Sequence, residues 1–597
     1  MKQDLSRFWG IASSALALLA GGCAESESDL GPAGASPPAF SCSALGQAFL
    51  CEGNVAVACE DASLRTDCAA DGRSCLTGLG CVSCQPGTGS CSGGHATACR
   101  SDGSGTFEFE CDATQGMTCN PDGCAGACSP ATLGESYVGC DYYPTVTANS
   151  GLYWKGFTFA VAVANTTGEP ANVMVTRGLE TVASRTVAAH GLEMIPLPWV
   201  MELKGEDPSM GIPVPLPTPK VVSQAAYRLR SDNPVTVYQF NPLEYEIAPA
   251  PKDCPGSAGG PEGCFSYSND ASLLLPAHVL GKDYLAMSWN GLGCKSGFVS
   301  VTATEDGTEI ELDPVGQFDA GGGFDEKGHG KAKLDRGDVI QLSSVSLGGP
   351  FCFNAEGSDI SGSLVRASRP VQVIAGHACA NLPTPKTEAC DHLEEAMFPL
   401  ETLGKDHVVA VPAGPDGKVS PHTIRILAPT AGAKVFFDPP IEPPATLVPG
   451  VPFEVNYVDQ DVRVMATAPV LVAAFMQGSH SVPTQTGDPS ESLAVPSEQF
   501  RNQYVFLAPK NYDVNFVSVV AKHGAKVELD GEVVPAGAFS PVGASGFGVA
   551  RVKLAPTEIH RAEGDSKFGI SVYGYGRYTS YMYPGGLNLT HIAPTPH

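Results

Sequence analysis

His377, Cys379, Cys390 and His392 bring two imidazoles and two thiols together over a short stretch of chain. Thiolate and imidazole are the donors zinc prefers, and four of them would fill a tetrahedral shell. In an oxidising compartment the two cysteines pair instead, closing a loop and leaving both histidines incidental. Parity favours the disulfide, because setting Cys23 aside from the 21 cysteines leaves an even number. Asp313, Asp319, Asp325 and Glu326 form a second constellation, set among glycines. Hard carboxylate oxygens suit calcium, yet such a run is more commonly a solvated acidic loop. No metal or cofactor is therefore expected. The chain has no Gly-x-Ser-x-Gly elbow, no His-Glu-x-x-His pair and no phosphate-binding glycine loop. A glycosidase carboxylate pair leaves no sequence spacing to read, so an exported hydrolase stays as an alternative, while the reading is non-catalytic, with no catalytic residue.

Cys23 has a different chemistry. Lys2 and Arg7 precede an apolar stretch from Phe8 to Ala20, which closes on Leu19-Ala20-Gly21-Gly22-Cys23 before Glu25, Glu27 and Asp29. The stretch is shorter than the roughly 20 residues a membrane span needs, so residues 1–22 are expected to be an export signal. Small residues ending on a cysteine resemble the lipobox of bacterial lipoproteins, although Leu19 stands one place earlier than usual. That resemblance implies a lipidated Cys23 and a membrane partner through its acyl chains. Ala24, in place of aspartate, implies sorting to the outer membrane and the cell surface. Residues 23–40 read as an acidic, proline-rich linker.

Positioning falls to two kinds of element. Fifteen of the 21 cysteines lie before residue 141. Cys42, Cys51, Cys59, Cys68, Cys75 and Cys81 form one set; Cys84, Cys91, Cys99, Cys111, Cys119 and Cys124 repeat its spacing, and Cys51 to Cys59 parallels Cys91 to Cys99 in sequence. Segments this small cannot bury an adequate core, so disulfides must stabilise them. Residues 41–140 are expected to be two disulfide modules forming a stalk, with connectivity open. Proximity and remainder suggest the pairs Cys128 with Cys140, Cys254 with Cys264, Cys379 with Cys390, and Cys294 with Cys352.

Residues 141–597 alternate apolar and polar positions at period two, as half-buried strands require. Pro276 to Tyr284 recurs at Pro399 to His407 and, more weakly, at Pro496 to Tyr504. A hairpin signature follows each copy: Val299 to Ala303 and Ile310 to Asp313 around Gly307, Ile424 to Ala428 and Val435 to Asp438 around Gly432, Val517 to Ala521 and Val527 to Asp530 around Gly524. A third element carries a leading proline at Pro234, Pro370 and Pro469, and a diverged copy runs from Phe568 to Tyr573. Four β modules are expected, near 141–250, 265–395, 396–495 and 496–597, each built of antiparallel strands like a β-sandwich. A β-propeller is the alternative.

Charge limits the partners. With 36 Lys and Arg against 63 Asp and Glu, the net charge is −27 and no basic stripe appears, which excludes nucleic acid. Several motifs together resemble the amino-terminal domain of IgGFc-binding proteins: Cys140-Asp-Tyr-Tyr, Tyr227 to Pro242, Asn269 to Pro276, Gly376-His-Ala-Cys379 with Ala389 to Glu395, and Tyr573-Gly-Tyr with Tyr583-Pro-Gly-Gly586. The resemblance covers roughly residues 135–597. It implies a non-catalytic extracellular binding or adhesion domain, with an extracellular protein or glycan as ligand. A structural envelope component is a further alternative. Gly487-Asp-Pro-Ser490 departs from the Gly-Asp-Pro-His of the family's self-cleaving domains, so self-cleavage is not expected.

Overall fold

The computed structural model describes residues 48–593, except residues 60, 101, 121–122, 150–151, 153, 155, 208–213, 255–262, 346–355, 484 and 556–558. The leader, Cys23, Cys42 and Cys352 fall outside the described residues. The chain divides into two compact units, Met1–Cys81 and Val82–His597. In the first, Phe49–Glu52, Val55–Ala58 and Arg65–Asp67 make a three-stranded antiparallel sheet pinned by Cys51–Cys75 and Cys68–Cys81. Cys59 is also disulfide-bonded.

The larger unit begins with a second copy of that sheet, formed by Gly89–Ser92, His95–Cys99 and Thr106–Glu110. Its disulfides are Cys84–Cys99, Cys91–Cys119 and Cys111–Cys124. Second-to-fifth and fourth-to-sixth pairing is therefore common to both repeats, a connectivity that spacing alone leaves undetermined. This repeat docks on the β body. Asp112 pairs with Arg230 at 2.9 Å, the Gln115 amide donates to the Cys140 carbonyl, and Cys128–Cys140 closes the junction.

The body is mainly β, with a single topology used four times. Each module is organised by one long strand and the short strand that follows it: β1 (Arg228–Asn241) and β2 (Asp270–Leu273), β3 (Val371–Ala380) and β4 (Asp391–Ala396), β5 (Val462–Met476) and β6 (Ser490–Leu493), β7 (Ile559–Gly576) and β8 (Thr579–Pro584). In the first module the opening half of β1 pairs with Gly139–Tyr142 and Ala171–Arg177, and the closing half with Phe159–Asn165 and β2. One strand thus belongs to two sheets, which curl around it as a half-barrel. β5 and β7 are used in the same way, while the second module splits the role between Leu364–Ala367 and β3. Proline sits at the crossing, as Pro234, Pro370 and Pro469, where the ladder changes sheets and no N–H is required.

Two sequence expectations are revised here. Gly297–Ala303 and Thr308–Asp313 flank a glycine turn but do not pair with each other: the first lies between β3 and Val339–Ser343, the second between Lys331–Leu334 and Leu364–Ala367. The turn is an arch that carries the chain from one sheet to the other, and its counterparts around Gly432 and Gly524 behave alike. Alternation reports which face is buried, not which strand is the neighbour. In Thr308–Asp313, Ile310 and Leu312 are buried while Glu309 and Glu311 face water, as either pairing would require. The second difference concerns β2, which the sequence groups with the second module but which hydrogen-bonds to β1.

The four short strands meet. β2 and β6 each pack against β4 and β8, so the four modules close around a common axis. Ala271, Leu273, Leu393, Leu493, Tyr581 and Tyr583 share one buried cluster there. A buried Leu contributes about 1.5–3 kcal/mol, which makes the axis a principal source of cohesion. A buried arginine adds a joint between the second and third modules: Arg425 pairs with Asp359 at 2.9 Å and Glu454 at 2.8 Å while stacking on Trp289 at 3.6 Å.

Candidate functional site

Each short strand returns antiparallel to the long strand before it, so the described residues of the four intervening loops, 242–254 and 263–269, 381–390, 477–483 and 485–489, and 577–578, gather at one end of the axis. They touch in sequence around it. The Asn269 N–H donates to Asp391 at 2.6 Å, joining the first loop to the start of β4. The Gly478 N–H donates to the Leu382 carbonyl at 3.1 Å, and His480 Nδ1 lies 3.3 Å from the Glu388 carbonyl. The Asp488 N–H donates to the Ser580 hydroxyl at 3.1 Å. Aromatic packing closes the circuit, with Tyr267 and Phe265 of the first loop lying 5.2 and 5.0 Å from the Tyr578 ring of the fourth. Four loops therefore form one continuous surface.

Side chains on this surface are arranged for contact. Tyr267 is 42% exposed although aromatic, and its φ of 56° lies in the left-handed region that costs a bulky residue energy. Ala389 at 68° and Gln485 at 50° place a similar strained residue in the second and third loops. Strain of this kind persists where surrounding structure enforces it, and it clusters at functional sites. Arg577 lies over Tyr578 at 5.0 Å and Phe265 at 5.8 Å, giving an aromatic platform with a cationic edge. Cys254–Cys264 lies within the first loop, and Cys379–Cys390 closes the second.

Beneath the loops lies an unusual store of buried acid. Asp270, Asp391, Glu394, Glu395 and Glu491 have no exposed surface, and Asp488 has little. Asp270 accepts the backbone N–H groups of Ala271, Glu394 and Glu491; Asp391 accepts the Thr579 hydroxyl at 2.7 Å; Glu395 accepts the Ser272 hydroxyl at 2.7 Å. Glu394 is held by the amides of Gln239 and Asn241. Burial drives Asp270, Asp391, Glu395 and Glu491 well above the ordinary carboxyl range, and Asp488 up to about 8. Carboxyls perturbed this far are often catalytic. These are sealed from solvent, so a substrate bond does not reach them; they tie strands of different modules together.

The residues singled out in the sequence are distributed as follows. Cys379 and Cys390 form a disulfide, which consumes both thiolates of the four-ligand alternative. His377 Nδ1 accepts the Cys379 N–H, and His392 stacks on Phe298 at 5.9 Å. Cys294 is disulfide-bonded, and Cys128–Cys140 and Cys254–Cys264 are joined. In the acidic loop, Asp313 pairs with Arg366, Asp319 accepts from the Ser343 hydroxyl, and Asp325 accepts the N–H groups of Lys327 and His329. Sequence reasoning missed Tyr267, Arg577 and Tyr578. The available signal was a bulky aromatic in turns where glycine or asparagine is the easier choice.

A family model described as IgGFc binding protein matches residues 270–574. The IgGFc-binding protein of Homo sapiens is 25% identical over 336 residues, which are 54% of this chain and 6% of the human protein's length. A solved anti-sigma factor domain-containing protein from Clostridium clariflavum has 10% identity and a TM-score of 0.10, covering 74% of this chain and 100% of its own, a likeness too slight to bear on fold or function.

Proposed function

This chain belongs to the IgGFc-binding protein family by its match over residues 270–574, and from that premise we propose that it is a non-catalytic extracellular binding protein whose four-loop end contacts a protein partner. The observation that carries this reading is the continuous loop surface, with the strained, exposed Tyr267 beside Tyr578 and Arg577. Tyrosine and arginine are the residues that most often dominate binding energy at interfaces. The human relative's name gives antibody Fc as one partner to test; the chain matches only 6% of that protein, so the ligand is an open variable of the experiment. Within the same reading, Cys23 is lipidated, the protein is tethered at the outer membrane of a bacterial cell, and the disulfide repeats raise the modules above the surface.

The test immobilises the full chain and screens extracellular proteins, including antibody Fc, alongside glycans and a hydrolase panel. A retained partner should bind the Tyr267→Ala variant, a change at a side chain 42% exposed, at least about tenfold more weakly. Equal retention by wild type and variant would remove the loop surface from the proposal, and substrate turnover would replace it with the hydrolase alternative.

A further inference from the structure

Away from the loop end, a polar cavity of about 110 Å³ is lined by Tyr143, Thr176, Gln224, Arg228, Arg230 and Arg336. It lies where the first module meets the second, against the docked cysteine repeat. Three guanidinium groups converge there in a protein with 36 basic residues and a net charge of −27. Two are partly engaged: Arg228 makes a bidentate pair with Asp141 at 2.7 to 3.2 Å, and Arg230 meets Asp112 at 2.9 Å. The third, Arg336, donates its Nε–H to the Thr304 carbonyl at 2.9 Å, and no carboxylate pairs with it among the described residues. Arg230 Nε is buried with no hydrogen-bond partner. At the cavity wall the Arg336 guanidinium is thus left without a carboxylate partner among the described residues.

The backbone around the cavity is built to stay open. Gly178 and Gly337, at φ of 57° and 85°, form part of the wall, and Gln224 is held at a φ of 50° by the Asp338 carboxylate, which accepts its N–H at 2.9 Å. Arg177 donates to the Gln224 carbonyl at 3.0 Å, adding a further cation behind that wall. Planar guanidinium groups match the geometry of oxyanions, and a charge-assisted contact is about twice as strong as a neutral one. Tyr143 and Thr176 bring hydroxyls and Gln224 an amide, groups that meet sugar hydroxyls, and Gly178, Ala226 and Gly337 complete the lining.

We propose that this cavity is an oxyanion site that takes a singly charged group, a sulfate ester or a carboxylate, carried by an acidic glycan. The site is separate from the loop surface, so it stands or falls independently of the function proposed above. Because the protein as a whole repels anions, binding must depend on the local arginines and not on general attraction.

The experiment titrates the full chain with methyl sulfate and with acetate, then measures retention on dextran sulfate, on the carboxylated polymer alginate and on uncharged dextran. Wild type is expected to bind one of the two anions saturably and to be retained by the polymer bearing that group but not by dextran. Arg336→Gln, a change at an exposed side chain, should weaken binding about tenfold, the equivalent of one contact worth about 1.4 kcal/mol. Arg336→Lys should recover part of that loss, and Lys522→Gln on the fourth module should bind like wild type. Equal binding by wild type and Arg336→Gln would overturn the site. So would an equal loss in Lys522→Gln. Retention of an acidic peptide but of neither charged polysaccharide would overturn the glycan assignment.

Discussion

Asp488 makes the buried acids experimentally visible. Its folded-state value of about 8 stands above the ordinary value near 3.8, because burial disfavours the charged form. A carboxyl raised in the folded state contributes stability that is fully present below its unfolded value and is lost as pH rises through the folded one. Wild type should therefore lose stability between pH 4 and 8, at up to about 1.4 kcal/mol per pH unit from this group. Buried His377, held at about 3, and His422, at about 4, act in the opposite sense, costing stability as pH falls below the usual histidine range. Asp488→Asn removes its own share of the loss at rising pH and leaves that of the other buried acids. Urea unfolding at pH 5, 6.5 and 8 should give a flatter profile for the variant, and parallel profiles would mean that Asp488 is not protonated in the fold.

Among elements, the short strands at the axis carry more than their length suggests. Leu393 in β4 is fully buried in the shared cluster, so Leu393→Ala should cost about 2–5 kcal/mol in denaturant unfolding. Glu309→Ala, on the solvent face of Thr308–Asp313, should change stability by less than about 0.5 kcal/mol. Similar costs for both would mean that the axis is not the core. Much of this level was legible in the sequence. Repeats beginning at Pro276, Pro399 and Pro496 marked stretches of like sequence, and alternation marked the buried faces. Strand partners were not legible, because a glycine turn such as Gly307 reads alike whether it closes a hairpin or arches between sheets. Nor was the loop surface. Tyr267 and Tyr578 are far apart in the chain, and only closure around the axis brings them within 5.2 Å.

For the whole molecule, the proposed anchor and the proposed loop surface can be tested separately. If Cys23 carries acyl chains, metabolic labelling with a fatty acid should mark wild type and not Cys23→Ala, and the variant should leave the membrane fraction; equal labelling would remove the anchor. Two or more chains give a hold that one does not. The expectation for that thiol rests on its sequence neighbours, whereas the arginine cavity has no signal in the sequence, since Tyr143, Arg228 and Arg336 belong to three distant segments.

Closure also fixes what can vary. Each short strand at the axis is flanked by two others, leaving no vacant seat for a fifth repeat and no tolerance for a missing one. Room for longer or restitched segments is then left to the connectors at the rim, much as the spokes of a wheel stay constant in number while its tyre is changed.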